Sequence, residues 1–490
     1  MERLTAAEIA EKSGGRVILG DPGRTASGVE TDSRKVGEGY LFVALKGTVT
    51  DGHRFIGKAL SAGASVIMVS DPDAPEVREL PDGPAVVLVD DTLLGLQTLA
   101  EKYLEERPML KIAVTGSVGK TSTRDLLHAA LSAGFRTGKN KANYNSSTGL
   151  PLTLLELTGD MEAAVLEMGM ESAGEIRRLC EIAKPDMAVI TNIGISHIER
   201  LGSRENIRLA KMEVAERFGP DNVLIVNGDD DMLGALNGEE LPYRLIKVVT
   251  GEPGSGGPAP GETVYRITDI RDRGMKGVDF RLLAPGEGPG GGAAREAAGF
   301  PVHLPVPGAH NAMNASLALA AAHAAGLSLA DAIRGIEQAE LTGGRLKIVS
   351  AGGMTLIDDS YNAAPDSMIS ALRTLSNSEG ARRIAVLAGM NELGSGSREE
   401  HRKVGREASE MPVDLLITIG EKGGDIADGA LEARTAGGPE VMKLDSKEEL
   451  IRRAAELLRP GDTVLFKASR SFALEEAVKA LIDKGNGLWA

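Results

Sequence analysis

Short apolar runs alternate with amphipathic stretches along most of the chain. In the amino-terminal part, the runs 41–45, 66–69 and 86–89 alternate with helical-looking segments such as 55–62. Apolar runs of this length are typical of buried strands, and the longer amphipathic segments between them are typical of helices. The alternation predicts a small α/β domain at this end of the chain.

A polar helix predicted over 93–106 ends before Pro108, which cannot continue a helix and marks a domain boundary. Beyond it, apolar runs bounded by Gly, Asn and Asp indicate a parallel sheet covered on both faces. Its predicted strands are 112–114, 164–166, 188–190 and 223–226. Two Gly/Pro-rich stretches, 254–260 and 285–292, interrupt the pattern and are interpreted as flexible loops flanking 264–283.

A third α/β pattern begins near Arg345 and ends in a helix predicted over 472–482. Its predicted strands are 355–357, 384–387, 415–419 and 464–466. At roughly 150 residues per domain, the length of the chain suggests about three domains. We therefore predict an α/β protein with a small amino-terminal domain over 1–108, a central parallel-sheet domain over 109–343 and a Rossmann-like domain over 344–490.

Composition and charge narrow the class of protein. Hydrophobic residues make up 42% of the chain and charged residues 26%, as in folded soluble proteins. The formal net charge of −15 disfavours binding to the phosphates of nucleic acid. The chain has neither a basic segment leading into an apolar run at its start nor an apolar stretch of the ~20 residues that span a bilayer. We expect a cytoplasmic, monomeric enzyme without nucleic-acid partners or membrane insertion.

The strongest chemical signal lies between a predicted strand and a predicted helix that runs through Leu131. Glycines there would let backbone N–H groups approach phosphate oxygens, and the helix start adds a positive dipole. Lys120 is placed to reach terminal phosphates, and the hydroxyl of Thr121 suits Mg²⁺. The predicted phosphate loop consists of Thr115, Gly116, Ser117, Val118, Gly119, Lys120, Thr121 and Ser122. A plain glycine turn is the alternative, and the Gly-Lys-Thr at the helix start disfavours it.

The loop departs from the usual P-loop consensus, which has its first glycine where this chain has Val114. In this form it resembles the loop of the Mur ligase and folylpolyglutamate synthase superfamily. Residues 140–143, Asn-Lys-Ala-Asn, resemble a guanine-reading motif that lacks its closing Asp. Adenine is therefore favoured over guanine, and ATP is the expected nucleotide.

Further segments in a fixed order strengthen the resemblance. They are Thr-Asp-Ser-Arg-Lys at 31–35, Asp-Gly-His-Arg-Phe-Ile at 51–56, Asn-Tyr-Asn at 143–145, Gly-Leu-Pro at 149–151, Glu-Met-Gly-Met at 167–170, Thr-Asn-Ile-Gly at 191–194 with His197, Pro-Gly-Ala-His-Asn at 307–311, Asp-Asp-Ser-Tyr-Asn-Ala-Ala-Pro at 358–365 and Glu-Leu-Gly at 392–394. On these segments the chain is identified as a member of the superfamily. The resemblance implies an ATP-dependent ligase that joins D-alanyl-D-alanine to UDP-N-acetylmuramoyl-tripeptide through an acyl phosphate, late in peptidoglycan-precursor assembly.

The resemblance also implies a metal site. In similar ligases the residues that match Thr121 and Glu167 bind the magnesium of ATP, and the residue that matches His197 binds a second magnesium. The residue that matches Lys211 is carbamylated there and so gains metal-binding oxygens. From the residues alone, Glu167 is equally a capping carboxylate, His197 a structural histidine and Lys211 a solvated helical lysine. The expected catalytic residues are Lys120, His197, Lys211 and Arg345.

Three further residues are implied to contact ATP. Asn311 would contact adenine, although it could equally cap the helix predicted over 312–325. Asp359 resembles the aspartate that binds ribose. Arg345 follows a predicted hinge at Gly343-Gly344 and would swing in to contact the γ-phosphate.

The acceptor substrate is expected on another set of residues, Ser33, Arg34, Asn143, Asn145 and Ser146. Arg34 would hold a diphosphate by forked hydrogen bonds, where a solvated surface arginine is the plain alternative. Ser146 stands where the family has an Asn. The segment 466–470 is expected near the incoming amine. The family's Gly-Asp-Met is replaced here by Gly-Met-Asn at 389–391, so we assign no carboxylate role to that segment.

Other functions remain open from the residues alone. One is a related ligase, which would add the third peptide residue or act as a folylpolyglutamate synthase. The Asp-Asn-Pro-Arg signature of diaminopimelate-adding enzymes is missing from the sequence, which favours the dipeptide-adding type. A switch protein that hydrolyses ATP without ligation is a more distant alternative. A pseudoenzyme is disfavoured because Lys120, Thr121, Glu167 and His197 are all present.

Overall fold

The computed structural model of the chain describes residues 1–47, 50–80, 83–252, 260–285, 299–342, 345–435, 437–485 and 487. They fall into two compact units, here called unit 1 and unit 2. Unit 1 comprises Met1–Ala113, Phe135–Met170 and Gly174–Asp186, and unit 2 comprises Val114–Gly134, Glu171–Ala173 and Met187–Ala490. The loops predicted over 254–260 and 285–292 lie largely outside the described residues, and the hinge predicted at Gly343-Gly344 lies entirely outside them.

The strands alternate with helices along the whole chain. The first strands are β1 (Leu4–Thr5), β2 (Arg16–Leu19), β3 (Thr25–Ala26), β4 (Gly28–Glu30), β5 (Tyr40–Val43), β6 (Val66–Val69), β7 (Ala85–Leu88) and β8 (Leu110–Thr115). The next are β9 (Thr137–Lys139), β10 (Ala163–Glu167), β11 (Met187–Ile190), β12 (Val223–Asn227), β13 (Arg244–Thr250), β14 (Glu262–Asp272), β15 (Val278–Leu283) and β16 (Gly299–Leu304). The last are β17 (Lys347–Ala351), β18 (Met354–Asp358), β19 (Arg383–Leu387), β20 (Leu415–Ile419), β21 (Glu440–Leu444) and β22 (Thr463–Lys467).

The helices range from a single turn to 14 residues. The first are α1 (Ala6–Ser13), α2 (Ile56–Ser61), α3 (Pro75–Arg78), α4 (Thr92–Glu105), α5 (Lys120–Ser132), α6 (Gly149–Glu156), α7 (Glu175–Ala183), α8 (Ile198–Leu201) and α9 (Arg204–Met212). The remainder are α10 (Asp231–Gly234), α11 (Asn311–Ala324), α12 (Leu329–Ile336), α13 (Pro365–Ser376), α14 (Ser397–Glu410), α15 (Gly420–Glu432), α16 (Lys447–Leu457) and α17 (Glu475–Lys484). Short 3-10 helices lie at Gly52–Phe55, Glu213–Ala215, Gly238–Glu240, Gly274–Lys276, Gly394–Gly396 and Arg470–Phe472. No described helix is both long enough and apolar enough to cross a membrane.

Unit 1 contains a sheet with the strand order β2-β7-β6-β5-β4. Strands β4 to β7 run parallel and β2 is antiparallel to β7. One face of the sheet forms a core with α2 that includes Phe42, Ile56, Ile67 and Val86. Strands β9 and β10, in the same unit, also pair in parallel. The predicted α/β character of the amino-terminal part is thereby confirmed.

The first sheet region of unit 2 runs from β11 to β16 in chain order. Strands β11 to β14 are parallel, and of these β11 and β12 were predicted as strands of a parallel sheet. Strands β14, β15 and β16 are antiparallel to one another. The sequence did not indicate this antiparallel extension. A tight turn through Gly274 and Gly277 connects β14 to β15, and so short a connection permits only antiparallel pairing.

The second sheet of unit 2 has the order β17-β18-β22-β19-β20-β21 and is parallel except for β17. Helices cover both of its faces: Leu450 and Leu481 pack on one side, and Leu372 and Ile426 on the other. The Rossmann-like α/β fold is confirmed. The carboxyl ends of β18, β22 and β19 meet at one edge, which is where parallel sheets bind ligands.

Candidate active site

The loop before α5 is shaped by glycines and supported by the segment that follows β11. Gly116 (φ +143°) and Gly119 (φ +85°) have backbone conformations that favour glycine. A Cβ on Gly116 would lie 1.9 Å from Oγ1 of Thr191, so no larger residue fits there. Asn192 Oδ1 accepts from the N–H of Val118 at 2.9 Å, and Thr191 Oγ1 donates to the carbonyl of Val118 at 2.5 Å. The Thr-Asn-Ile-Gly segment of the sequence therefore holds the loop in shape.

Lys120 is the first residue of α5, and its Nζ donates to the carbonyls of Gly116 at 2.7 Å and Ser117 at 3.2 Å. Burial, together with the charges of Lys120, Lys211 and Arg200, lowers the pKa of His197 to about 4. Burial and Lys120 also bring the pKa of Lys211 well below its ordinary value. Burial is the largest cause of both shifts, and the remaining causes are cations beside the loop. One of them, Lys120, would attract a polyphosphate.

His197 follows β11 in a left-handed conformation, with φ +66°. Its Nδ1 lies 2.5 Å from Oε2 of Glu392, although the direction is not that of a hydrogen bond. Burial lowers the pKa of His197 and raises the pKa of Glu392, so both shifts favour the neutral forms. The imidazole is therefore neutral near pH 7, and the pair is a polar contact rather than an ion pair. Since Nδ1 faces Glu392, Nε2 is the nitrogen that a metal would take.

A cavity of about 380 Å³ opens beside the loop, entirely within unit 2. Its lining includes Ser117, Val118, Gly119, Lys120, Ser122, Asn314, Arg345, Asp359, Asn362 and Lys467. Its volume is within the range of small-molecule sites, about 300–1,000 Å³. Lys120, Arg345 and Asp359, which the sequence predicted as ATP contacts, are thus brought to one cavity.

Lys467, at the end of β22, is a cavity residue whose position the sequence did not indicate. Its Nζ lies 2.5 Å from Oδ2 of Asp359 and donates to the carbonyl of Asn362 at 3.1 Å. The segment containing Lys467 was expected near the amine substrate. Lys467 meets Asp359 because β22 lies beside β18. The order of strands in a sheet cannot be derived from apolar runs in the sequence. Arg345, nearby, stacks on Tyr361 with 5.1 Å between the guanidinium carbon and the ring centre.

Asn311 is only 1% exposed and is committed to internal hydrogen bonds. Its Nδ2 donates to the carbonyl of Pro307 at 2.8 Å, and its Oδ1 accepts from Nδ2 of Asn314 at 2.9 Å. The residues of this segment that line the cavity are Ala309, His310, Met313 and Asn314. Helix α11 begins at Asn311 with His310 in the capping position, so Asn311 is not the cap. Its contact with adenine stays a prediction.

In unit 1, Glu167 ends β10 and is held by two asparagines. Nδ2 of Asn145 donates to Oε1 of Glu167 at 2.7 Å. Oδ1 of the buried Asn140 accepts from the N–H of Glu167 at 2.5 Å, and its Nδ2 donates to the carbonyl of Tyr144 at 2.6 Å. Asn140 therefore joins the end of the strand to the 143–146 loop and does not resemble a base-reading residue.

The segment expected to bind the nucleotide sugar also lies in unit 1. Arg34 is exposed and forked onto Asp32, with Nε 2.9 Å from Oδ1 and Nη2 2.7 Å from Oδ2. The hydrogen bond from Arg34 lowers the pKa of Asp32 to about 2. Nζ of Lys35 donates to the hydroxyl of Tyr144 at 2.9 Å, which links this segment to the 143–146 loop. The substrate roles of Ser33, Arg34, Asn143, Asn145 and Ser146 stay predictions.

The metal assignment can be compared with the donor groups. Among the described residues, no group of three or more His, Cys, Asp or Glu is arranged to hold a metal ion. The predicted ligand set contains only two residues of these types, Glu167 and His197. Its other members are the Thr121 hydroxyl and a modified Lys211. Thr121 and Lys211 are buried, at 5% and 1% exposure, and oxygen donors suit Mg²⁺. The residues are chemically compatible with Mg²⁺, and their role as ligands stays a prediction.

Comparison with known proteins agrees with the geometry of the cavity. The chain matches the family descriptions "Mur ligase family, catalytic domain" over 25–103, "Mur ligase middle domain" over 114–322 and "Mur ligase, glutamate ligase domain" over 344–470. It is 37% identical over 486 residues to the UDP-N-acetylmuramoyl-tripeptide–D-alanyl-D-alanine ligase of Bacillus subtilis (strain 168), covering 99% of both chains.

Solved structures show the same relationship. The chain is similar to a crystal structure of MurF from Acinetobacter baumannii, with a TM-score of 0.83 and 31% identity over 99% of this chain and 100% of that chain. It is also similar to MurF ligase from Thermotoga maritima in complex with ADP, with a TM-score of 0.74, 26% identity, and coverage of 94% and 98%. Sequence, fold and cavity agree, and the chain belongs to the Mur ligase family.

Proposed function

We propose that this protein joins the terminal carboxylate of UDP-N-acetylmuramoyl-tripeptide to the amine of D-alanyl-D-alanine at the expense of ATP. The observation that carries the proposal is the cavity lined both by Lys120 of the predicted phosphate loop and by Arg345 and Asp359 of the Rossmann-like region. The choice of substrates is supported by the Bacillus subtilis relative, which bears that name and matches 99% of both chains.

The reaction proceeds in two steps. A carboxylate oxygen of the tripeptide attacks the γ-phosphorus of ATP, and the bond to the ADP oxygen breaks. The dipeptide amine then attacks the acyl carbon, loses a proton and expels phosphate. Negative charge accumulates on the phosphoryl group in the first step, and Lys120 and Arg345 are two cations of the cavity that would offset it. No nucleophilic side chain is required.

The ATP contacts are proposed partly from the cavity and partly from the family resemblance. The backbone of 115–122 would hold the phosphates, Asp359 the ribose and Asn311 the adenine end. Magnesium bound to ATP would neutralise phosphate charge, and we propose two ions with Thr121, Glu167, His197 and Lys211 as ligands. Burial brings the pKa of Lys211 well below its ordinary value, which favours the neutral amine, the form that adds CO₂ to give a carbamate and a proton.

Domain limits and location complete the proposal. We place the domains at 1–108, 109–343 and 344–490, with the nucleotide-sugar substrate bound by the first through Ser33 and Arg34 and by Asn143, Asn145 and Ser146 of the second. A monomer is proposed because one chain carries every residue assigned to the reaction. We propose a cytoplasmic location because the proposed substrates are ATP and a nucleotide-linked peptide.

Phosphate release tests the proposal. It should require ATP, UDP-N-acetylmuramoyl-tripeptide and D-alanyl-D-alanine together, and a mass increase by one dipeptide should accompany it. If the enzyme instead prefers to add a free amino acid to UDP-N-acetylmuramoyl-dipeptide, a third-residue ligase is favoured. Release of phosphate without any amine would favour a switch protein. A folylpolyglutamate synthase would instead accept a folate and glutamate.

The substitution Lys120→Ala tests whether the phosphate loop is the site of this activity. Activity should fall by about 100-fold or more, because a charge that faces the phosphates is lost, while the thermal unfolding midpoint changes little. The matched control is Lys276→Ala, whose side chain is 81% exposed and does not line the cavity. Turnover of Lys120→Ala at the rate of the control would reject the assignment.

A further inference from the structure

Two charged residues of α5 are completely enclosed. Arg124 is 0% exposed and Asp125 is 1% exposed. Nε and Nη2 of Arg124 lie 3.0 and 2.8 Å from Oδ1 of Asp125. Burying two charges costs free energy that their mutual attraction alone does not always offset. Further hydrogen bonds to Arg124 and Asp125 are therefore expected to contribute to the stability of the buried pair.

Thr342, in the segment that connects α12 to β17, binds both members of the pair. Nη2 of Arg124 donates to Oγ1 of Thr342 at 2.7 Å, and the same hydroxyl donates to Oδ2 of Asp125 at 2.7 Å. The backbone N–H of Thr342 also donates to Oδ2 of Asp125 at 2.8 Å. One residue thus makes three hydrogen bonds to charged groups, which are stronger than bonds between neutral groups.

The position of this contact connects two parts of the cavity. Residues four apart lie on the same side of a helix. Arg124 therefore lies on the same side of α5 as Lys120, and Asp125 on the same side as Thr121. Thr342 lies three residues before Arg345, and three residues span at most about 11 Å. A fixed Thr342 therefore limits how far Arg345 can lie from the helix that carries Lys120.

We propose that Arg124 and Asp125 anchor Thr342 and that Thr342 is a positioning residue for Arg345. Through these hydrogen bonds, α5 fixes the positions of both cavity residues. Lys120 is part of the helix, and Arg345 follows Thr342, which is bonded to the helix. This inference deepens the proposed function and depends on the role of Arg345 at the γ-phosphate. It predicts an effect on turnover rather than on the initial binding of ATP.

Replacing Thr342 separates positioning from simple structural support. Thr342→Val keeps the shape of the side chain and removes its hydroxyl, so we expect kcat to fall by about tenfold. The Kd of a non-hydrolysable ATP analogue, measured by calorimetry, should stay within about twofold of the wild type. Thr342→Ser keeps the hydroxyl and should restore most of kcat. Equal losses in the Val and Ser variants, or wild-type kcat in Thr342→Val, would overturn the proposal.

A double-mutant cycle identifies the residue through which Thr342 acts. In an Arg345→Ala background, Thr342→Val should cause no further loss of kcat, because the group that it positions is already gone. Losses that multiply would show that Thr342 acts independently of Arg345 and would overturn the proposal. If Arg345→Ala alone kept wild-type kcat, both the positioning role and the γ-phosphate role of Arg345 would fail. The assignment of the phosphate loop would still be decided separately by Lys120→Ala.

Discussion

Lys467 and Asp359 form a buried pair whose side chains are 3% and 13% exposed. Lys467→Met leaves the carboxylate of Asp359 buried without this cation, so we expect the free energy of unfolding to fall by about 3–5 kcal/mol. Urea unfolding measures the loss. Adding Asp359→Asn should recover part of it, since the uncompensated charge is then removed. If the double variant instead loses the sum of the two single effects, the pair is not coupled.

A matched control for this prediction is Lys443→Met. Lys443 pairs with Asp428 on the surface, where the two side chains are 49% and 41% exposed. Water screens such a pair, so the free energy of unfolding should change little. A loss as large as that of Lys467→Met would show that burial is not the cause of the difference.

His401 makes the stability of the protein depend on pH. It is fully buried, its Nε2 accepts from the N–H of Met390 at 2.8 Å and its Nδ1 donates to the carbonyl of Ser397 at 2.6 Å. Burial lowers its pKa below the ordinary value of 6.5. The unfolded chain therefore binds a proton first as pH falls below about 6.5, and the free energy of unfolding decreases towards the lower folded pKa.

The contribution of His401 is isolated by comparison with His401→Gln. Urea unfolding at pH 7 and pH 5 should show a smaller decrease in the variant, because glutamine does not titrate. All other titrating groups are shared by the two proteins. An identical pH dependence in both would show that His401 does not contribute.

At the scale of elements, helices α14 and α15 pack through glycine. A Cβ on Gly429 of α15 would lie 2.1 Å from the carbonyl oxygen of Arg402 in α14. Gly429→Ala should therefore push the helices apart and lower the free energy of unfolding by about 1–3 kcal/mol. Gly424 lies in the same helix with nothing within 4 Å of its Cβ position, so Gly424→Ala should raise it by about 0.5–1 kcal/mol.

Chemical denaturation of the two variants tests this contrast. Both substitutions make the same chemical change in one helix, so helix propensity is common to them and only the neighbouring backbone differs. Equal stabilisation by both would contradict the close packing of α14 on α15.

Elements were predictable where local pattern decides them. The run predicted at 66–69 is strand β6, the run at 415–419 is β20, and the helix predicted over 93–106 is α4 shifted by one residue. The β14–β15 hairpin was not predicted, because periodicity does not report which way a neighbouring strand runs. Asn140 resembled part of a base-reading motif, and only its contacts identify it as a structural link.

At the scale of the whole molecule, binding in the cavity should be linked to folding. A non-hydrolysable ATP analogue at a hundred times its Kd should raise the free energy of unfolding by about 2.7 kcal/mol, because it binds only the folded protein. Thermal or urea unfolding with and without the analogue measures this. Lys120→Ala should show little of the increase at the same concentration, and equal stabilisation of the variant would place the nucleotide elsewhere.

The sequence by itself determined the α/β class and the family, and it predicted the phosphate loop at 115–122. Those properties depend on local hydrophobic period, on glycines at fixed spacing and on ordered short motifs. Only the tertiary structure decided that Lys467 meets Asp359, that Glu392 meets His197 and that Arg124 and Asp125 hold Thr342. These contacts join residues far apart in the chain, and they depend on strand order and on buried electrostatics that no local pattern encodes.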